Sequence, residues 1–385
     1  MNRAGMCLVL VMAVLLVGSA SAQFWQSTTQ YPQPIKQESC NYYSGYIYCL
    51  GGTTTSGTSR SVYSAQVTST GVGTWTSETG YPSLILKQSC AAGSGYLYCV
   101  GGQNVYTSYY APISNGNVGN WTATTNYPLK VYYHTCSISN GYIYCVGGYN
   151  GYAGVQNVYY ASVNSTGIGA WQATSGYPIL INGQSCAISG GYIYCVGGLL
   201  QNGNPTNQTY YASVSGGGVG QWYSTTPYPN AMAFGSCNVA NGQLYCVPGS
   251  GSNVTYYASL TGSGIGKWQA SPSYPASGTT DISCTSSGSA IYCIGGNGNP
   301  LLQSVYYAAV SLSGGGSGST SVVSSGGGYN TTTSVNNNGG GSSGTGGSSS
   351  GGISTTTVIL VVVIVILAGV LAWKMMLPQI RKQKK

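Results

Sequence analysis

The chain has 385 residues, with 11 Lys or Arg, 3 Asp or Glu, a single His, 61 Gly, 36 Tyr and only 2 Phe. Three carboxylates and one imidazole leave little for acid–base catalysis or for a metal site, so we expect no enzyme, no metal and no cofactor. The formal charge is +8, but only five basic and three acidic residues lie between Arg3 and Lys374. We therefore expect no nucleic-acid partner.

The N-terminal residues 1–22 have the pattern of a secretory signal peptide. Arg3 precedes an apolar run from Met6 to Val17, and Ala20-Ser21-Ala22 forms a small-residue cleavage site. This pattern predicts secretion and removal of the segment, together with Cys7.

Residues 23–312 contain one unit written six times, which we number repeats 1 to 6. Each unit combines a Trp, a Tyr-Pro six residues later and a pair of Cys. The Trp are Trp25, Trp75, Trp121, Trp171, Trp222 and Trp268. The Cys pairs, from repeat 1 to repeat 6, are Cys40 with Cys49, Cys90 with Cys99, Cys136 with Cys145, Cys186 with Cys195, Cys237 with Cys246, and Cys284 with Cys293. The Trp recur at intervals of 46 to 51 residues, and a period of this length indicates a repeat architecture.

Each repeat is predicted to form four short strands, A to D, with the Cys pair on strands A and B. In repeat 3, Asn140-Gly141 is typical of a two-residue hairpin turn, which would place Cys136 opposite Cys145 at a non-hydrogen-bonded position. The Cα atoms at such a position are about 4.5 Å apart, a distance that a disulfide accepts. The same spacing in all repeats predicts six disulfides rather than free thiols or zinc sites.

Six four-stranded units predict an all-β, six-bladed β-propeller. Trp25 lies in a strand D with no preceding strands, and residues 305–310 form a strand C with no following strand D. We therefore expect the N-terminal strand to close the ring. Strand B ending in Gly-Gly, a Tyr in strand C and a Trp in strand D resemble the Kelch repeat, over residues 25–312. The resemblance implies a propeller but no particular activity.

The C-terminal part predicts a membrane anchor. Residues 313–352 are almost wholly Gly, Ser, Thr and Asn, which is typical of a flexible stalk. Residues 353–377 include an uncharged run from Val358 to Trp373 and are predicted to form a transmembrane helix. The basic residues in 378–385 place that tail in the cytoplasm. We expect a single-pass protein of the cell membrane.

Binding residues are expected on the face that carries the D–A and B–C connections, which we call the loop face, because the B–C connections vary while the A–B turns are uniform. The candidates are Tyr106, Tyr149, Tyr152, His134, Lys87 and Arg60. The repeated Tyr and Trp are interpreted as packing residues. N-glycosylation motifs begin at Asn120, Asn164, Asn207, Asn253 and Asn330.

These features favour a cell-surface binding or adhesion module that recognises a glycan or a surface protein. A structural component of the cell envelope is the alternative. A carbohydrate-active enzyme ranks third, because Kelch-like copper radical oxidases need two His ligands and sialic acid mutarotases use several charged residues, whereas this chain has one His.

Overall fold

The computed structural model describes residues 24–249 and 252–310. This part of the chain consists of strands and connections without a helix, as the sequence predicts. The expected signal peptide, stalk, transmembrane helix, cytoplasmic tail, Cys7 and Asn330 lie outside it. Within the described residues, no helix has the length and hydrophobicity needed to cross a membrane.

The first part of the chain includes a short three-stranded sheet on the loop face, formed by Ile35–Lys36, Thr53–Thr54 and Gly57–Thr58. The strands up to the end of repeat 1 are β1 (Gln26–Ser27), β2 (Ile35–Lys36), β3 (Ser39–Tyr43), β4 (Tyr46–Leu50), β5 (Thr53–Thr54), β6 (Gly57–Thr58), β7 (Val62–Thr68) and β8 (Gly71–Ser77).

Repeats 2 and 3 each form one further sheet. Their strands are β9 (Ser89–Gly93), β10 (Tyr96–Val100), β11 (Ser108–Ser114), β12 (Asn117–Val118), β13 (Thr122–Thr124), β14 (Thr135–Ser139), β15 (Tyr142–Val146), β16 (Val158–Asn164), β17 (Gly167–Ile168) and β18 (Gln172–Ala173).

Repeats 4, 5 and 6 follow the same pattern. Their strands are β19 (Ser185–Ser189), β20 (Tyr192–Val196), β21 (Thr209–Ser215), β22 (Gly218–Val219), β23 (Tyr223–Ser224), β24 (Ser236–Ala240), β25 (Gln243–Val247), β26 (Thr255–Thr261), β27 (Gly264–Ile265), β28 (Gln269–Ser271), β29 (Ser283–Ser286), β30 (Ala290–Ile294) and β31 (Val305–Ala309).

Every repeat gives an antiparallel sheet in the order A-B-C-D, so the predicted four-stranded units are confirmed. In repeats 2 to 5 two short strands share the D position, as β12 and β13 do beside β11. In the sheet of repeat 6 the D position is taken by β1, which pairs with β31 through Gln26 opposite Tyr307. This is the arrangement of sheets that a propeller requires.

The A–B hairpins confirm the register predicted from the turn residues. In repeat 3, Ser139 faces Tyr142 and Cys136 faces Cys145. Asn140 and Gly141 have φ angles of 49° and 77°, as a type I′ turn requires. In each of the remaining five repeats, the first and second Cys face each other in the same way.

All six predicted disulfides are present, each closing one A–B hairpin, with Cα–Cα distances of 4.0–4.1 Å. The second Cys of each pair, on strand B, is fully buried, whereas the first, on strand A, retains slight exposure. The bonds join Cys40 to Cys49, Cys90 to Cys99, Cys136 to Cys145, Cys186 to Cys195, Cys237 to Cys246, and Cys284 to Cys293.

The recurring Trp and Tyr-Pro form the contact between neighbouring sheets. The Trp171 ring meets the ring of Tyr127, from the preceding Tyr-Pro, edge to face at 4.9 Å, and its Nε1–H donates to the Thr125 carbonyl. The same pair recurs at each junction, including Trp25 with Tyr274 at 5.2 Å. These contacts explain why the two motifs keep a constant spacing, since each motif must reach the adjacent sheet.

Strand B carries tyrosine rather than phenylalanine because the tyrosine hydroxyl makes a hydrogen bond to the next repeat. Tyr144 Oη donates to the Ser215 carbonyl of the next repeat at 2.7 Å, and Tyr98 and Tyr194 make the equivalent bond. A buried phenol is tolerated when its hydroxyl is paired in this way. The many Tyr and few Phe therefore reflect contacts between sheets.

The inner A strands lie side by side, with β29 against β3 and each other A strand against the next. Ser hydroxyls link them: Ser89 Oγ accepts from the Cys136 N–H at 2.8 Å, and Ser283 Oγ accepts from the Cys40 N–H at 2.9 Å. A polar cavity of about 330 Å³, which we call the central channel, lies between A strands and is lined mainly by their Ser, Thr, Asn and Cys residues.

Candidate functional site

One residue from each D–A connection surrounds the loop-face end of the central channel, and we call this set the mouth ring. Each member of the mouth ring lies three residues before the first Cys of its repeat. The members are Gln37, Lys87, Tyr133, Gly183, Phe234 and Asp281. Their backbones form a cycle in which each N–H donates to the carbonyl of the preceding member, at 2.9–3.2 Å, and Gln37 donates to Asp281.

All members of the mouth ring have positive φ angles. The five that are not glycine lie between 55° and 62°. This conformation is uncommon for residues with a side chain, and for bulky ones it stores strain. The hydrogen-bonded cycle holds it in place. Backbone strain retained at a mouth, where glycine would relieve it, points to a role for the side chains themselves.

The side chains of Gln37, Tyr133 and Asp281 form a polar cluster across the mouth. Gln37 Nε2 donates to Tyr133 Oη at 2.8 Å. Burial raises the pKa of Asp281, and hydrogen bonding from Tyr133 and Gln37 partly offsets this. Burial and the nearby Asp281 carboxylate raise the pKa of Tyr133 far above its ordinary value, so its hydroxyl stays protonated. A cavity of about 120 Å³ lies at this mouth.

Lys87 lies against two aromatic rings beside this cluster. Its Nζ is 4.8 Å from the centroid of Tyr133 and 5.2 Å from that of Tyr132. Burial lowers the pKa of the half-buried Lys87, and the Asp281 carboxylate opposes that shift. The Lys87 ammonium therefore makes cation–π contacts with both rings while the residue remains partly exposed.

An aromatic groove of about 390 Å³ runs outward from the mouth between the B–C connections of repeats 3 and 4. It opens where the mouth ring carries Gly183, whose neighbours Tyr133 and Phe234 contact each other with tilted rings and centroids 4.6 Å apart. The residues that line it with the largest side chains are Lys87, Tyr132, Tyr133, Tyr149, Tyr152, Leu199, Leu200, Gln201 and Phe234. The groove thus combines ring faces with a few polar groups, as small-molecule sites do.

The structure brings three of the sequence candidates together here: Lys87, Tyr149 and Tyr152 all line the groove. Tyr149 contacts Tyr132 at 5.3 Å between centroids, and Tyr152 is 92 % exposed. Arg60 and Tyr106 are exposed outside the lining residues of the groove. Lys130 Nζ lies 5.7 Å from the Tyr106 ring.

His134 lies beneath the mouth ring and is 5 % exposed. Its ring stacks on Tyr127 at 5.6 Å, and neither nitrogen finds a hydrogen-bond partner among residues 24–249 and 252–310. Burial lowers the pKa of His134 to about 4, and the nearby Val100 carbonyl partly opposes this. The position is that of a packing residue at the edge of the mouth cavity.

Glu38 occupies the position two residues before the first Cys in repeat 1. In repeats 2 and 4 a Gln stands there, and Gln88 Nε2 and Gln184 Nε2 donate to the Leu50 and Val146 carbonyls of the preceding repeat. Glu38 is 7 % exposed, and burial, together with the Asp281 charge, raises its pKa to about 8, although the proximity of its own backbone N–H opposes this shift. A protonated Glu38 can act as a donor, as these amides do.

Among the described residues, no group of three or more His, Cys, Asp or Glu is placed to hold a metal ion. The glycosylation motifs fall on accessible positions, with Asn120, Asn164 and Asn207 exposed and Asn253 half-buried. Asn164 Oδ1 accepts from the Thr166 backbone N–H within its own turn.

The binding candidates chosen from the sequence did not include Tyr132, Tyr133, Phe234 or Asp281. The sequence nevertheless contains a pattern that marks the mouth-ring position. When the repeats are aligned on their first Cys, the position three residues earlier differs in every repeat, whereas the position just before that Cys is Ser or Thr throughout. A variable position inside a uniform repeat indicates a surface that differs from sheet to sheet.

The sheets and this site define a propeller-type, all-β protein. No protein-family model matches the chain, and no curated protein matches it. It is similar to the solved structure of YjhT, a Kelch-type propeller, with a TM-score of 0.61 and 16 % sequence identity over 71 % of this chain and 95 % of that one. At this identity the likeness shows the fold alone.

Proposed function

We propose that the chain is a cell-surface binding module that takes a glycan in the aromatic groove and does not turn it over. The observation that carries the proposal is the groove itself, in which Lys87 holds Tyr132 and Tyr133 beside Tyr149. Aromatic faces pack against the apolar faces of sugar rings, while amide and hydroxyl groups bond sugar hydroxyls. The strained mouth ring supports the proposal, because it keeps large side chains where glycine would fit without strain.

The scaffold for this module is proposed to be a closed ring of six blades. The pairing of β1 with β31, the edge-to-face contact of Trp25 with Tyr274 and the hydrogen bond from Gln37 to Asp281 support closure, because all three join the first part of the chain to the last repeat. A closed scaffold would fix the distances between residues of the mouth ring, which lowers the entropic cost of binding.

The proposed location is the outer face of the cell membrane. The signal-peptide pattern, the six disulfides and the apolar C-terminal run support it, since disulfides persist in oxidising compartments. The Gly- and Ser-rich segment would then hold the module away from the bilayer.

The test measures binding of the detergent-solubilised full chain to a glycan panel. Replacing Tyr149 and Tyr152 together by Ala should weaken saturable glycan binding at least about tenfold, or about 1.4 kcal/mol. The matched control is Tyr223→Ala, since Tyr223 is half exposed but lies on β23, outside the groove. Equal glycan binding by both variants would place the glycan outside the groove. No glycan binding, together with high abundance in cell envelopes, would favour the structural role instead.

A further inference from the structure

The outer strand of repeat 1, β8, is the longest strand in the D position. It spans seven residues, Gly71–Ser77, and pairs with β7 at five positions around one register shift. In repeats 2 to 5 the D position is divided between two strands of two or three residues, and in repeat 6 it holds the two residues of β1. Within residues 24–249 and 252–310, only repeat 1 therefore has a long, continuous outer strand.

The side of β8 that faces away from β7, which we call the β8 edge, is largely open. No described strand pairs with it, because β8 is the last strand of its sheet. At its beginning, Thr28 Oγ1 accepts from the Val72 N–H at 2.8 Å and donates to the Val72 carbonyl at 3.1 Å. Further along, the Glu78 N–H donates to the Val62 carbonyl at 2.9 Å, so the preceding Ser77 turns its own N–H and carbonyl outward. An open edge of this kind is a template for pairing with another chain.

Other repeats have features that hinder such pairing at the same place. The residue just before the Trp of the D position is Lys267 in repeat 5 and Asn120, which begins a glycosylation motif, in repeat 2. Repeat 1 has Thr74 there, and β8 contains no charged residue. Repeats 3 and 4 carry Ala170 and Gln221, but their D position is divided. Since charge and short strands are what keep sheet edges apart, the β8 edge is the least protected of these outer edges.

A second copy of the chain suits this edge. Two identical edge strands that extend one sheet about a two-fold axis perpendicular to it run antiparallel, and they form an interface in which both copies use the same surface. Because β8 is uncharged, this pairing brings no like charges together. The Glu78 carboxylates directly after β8 would lie at opposite ends of the two paired strands.

The end of the described chain shows how such a pair would be oriented. The Val310 N–H donates to the Ser289 carbonyl, in the A–B turn of repeat 6, at 2.9 Å. Val310 therefore lies on the face opposite the loop face. Antiparallel pairing reverses one copy relative to the other, so the two Val310 residues would lie on opposite sides of the joined sheet. Residues 311–385 of the two copies, which include the proposed anchor, would start from opposite sides.

We propose that two copies of the chain pair antiparallel through the β8 edge, and that copies on opposing membranes make this contact. The inference goes beyond glycan binding, and its membrane part rests on the proposed location. One pair of short strands buries less surface than a stable dimer needs, so a single contact is weak. Many such contacts between two membranes act together and hold them much more tightly.

The first experiment measures self-association of the full chain in detergent by sedimentation velocity over a wide concentration range. Wild type should form dimers at high concentration. Thr74→Lys should raise the dimer Kd at least about tenfold, because each dimer receives two added charges at its edge. The matched control is Ala170→Lys, the same position in repeat 3, which should dimerise as wild type does. Lys267 stands at this position in repeat 5, so the fold accommodates both changes.

The second experiment places the full chain in phosphatidylcholine vesicles and follows their clustering by light scattering. Vesicles with wild type or Ala170→Lys should cluster, and vesicles with Thr74→Lys should not. Absence of dimers, or equal losses in the two Lys variants, would overturn the pairing, and dimers that do not cluster vesicles would contradict contact between opposing membranes. Clustering abolished instead by replacing Tyr149 and Tyr152 with Ala would assign it to the aromatic groove, so the pairing and the proposed function can fail separately.

Discussion

The ammonium group of Lys87 lies 4.8 Å from the centroid of the Tyr133 ring. The two residues are successive members of the mouth ring, linked by the bond from the Tyr133 N–H to the Lys87 carbonyl at 3.1 Å. One strained backbone cycle therefore sets the positions of the cation and the ring together. Because Lys87 and Tyr133 both line the aromatic groove, their positions determine its shape near the mouth.

Replacing Lys87 by glycine should separate binding from stability. The φ angle of Lys87 is 60°, so glycine removes left-handed strain of about 1 kcal/mol while the lost cation–π contacts cost about as much. We expect a melting temperature close to wild type and a several-fold loss of glycan affinity. Thermal unfolding followed by circular dichroism and the glycan assay check both parts. A large loss of stability with unchanged affinity would show that Lys87 serves the fold instead.

Gly183→Ala should destabilise the protein and disturb the groove. A Cβ at Gly183, whose φ angle is 63°, would lie 2.6 Å from Phe234 Cε1. Gly190→Ala is the control, because its φ angle is 56° and its Cβ would meet no atom of the described residues within 4 Å. Both variants bear the left-handed strain of about 1–2 kcal/mol, and the extra loss in Gly183→Ala measures the clash with Phe234. Equal losses in urea unfolding would contradict the described packing.

Glu38 and His134 should give opposite pH dependences of stability. Burial raises the pKa of Glu38 from 4.5 to about 8, so the folded state keeps a proton that the unfolded state releases, and stability falls as the pH rises through that window. Burial lowers the pKa of His134 from 6.5 to about 4, so its contribution falls as the pH drops from 6.5 towards 4.

Gln variants separate the two contributions, because Gln88 and Gln184 already occupy the equivalent position in other repeats. Relative to wild type, Glu38→Gln should gain stability as the pH rises from 4.5 to 8, by at most about 1.4 kcal/mol per pH unit. His134→Gln should gain as the pH falls from 6.5 to 4. Denaturant unfolding at a series of pH values measures both, and curves that run parallel to wild type would refute the assignment.

Tyr177, the tyrosine of the Tyr-Pro motif that precedes repeat 4, should tolerate loss of its hydroxyl. Tyr177 Oη is buried without a hydrogen-bond partner among the described residues, so Tyr177→Phe should be neutral or stabilising by up to about 1 kcal/mol. Tyr144→Phe is the matched comparison, because it removes the bond to the Ser215 carbonyl and should cost about 1 kcal/mol. A similar loss in both variants, measured by urea unfolding, would show that Tyr177 Oη is paired.

The sequence predicted the local architecture well because its determinants are local. The turn at Asn140-Gly141 sets the register that brings Cys136 to Cys145, and both residues have the expected positive φ angles. The Trp and Tyr-Pro spacing predicted packing, although the partner of each Trp lies in the preceding repeat, as with Trp171 and Tyr127.

The site was predicted only in part because its geometry depends on contacts between repeats. Tyr133 and Phe234 meet over Gly183 only when three D–A connections are joined by the backbone cycle. Positive φ angles at Lys87 and Tyr133 also run against residue preference, so they could not be inferred from local propensity. From the sequence alone, Tyr106 was as plausible a binding residue as Tyr149. In the structure Tyr106 instead contacts Lys130, outside the groove.

The most direct test of glycan binding in the groove is hydroxyl-radical footprinting of tyrosines, read by mass spectrometry on the full chain with and without its bound glycan. The account predicts protection of Tyr149 and Tyr152, which line the groove, and unchanged labelling of Tyr106 and Tyr223, which are exposed elsewhere. Protection of Tyr106 or Tyr223 with Tyr149 and Tyr152 still labelled would place binding elsewhere and contradict the account.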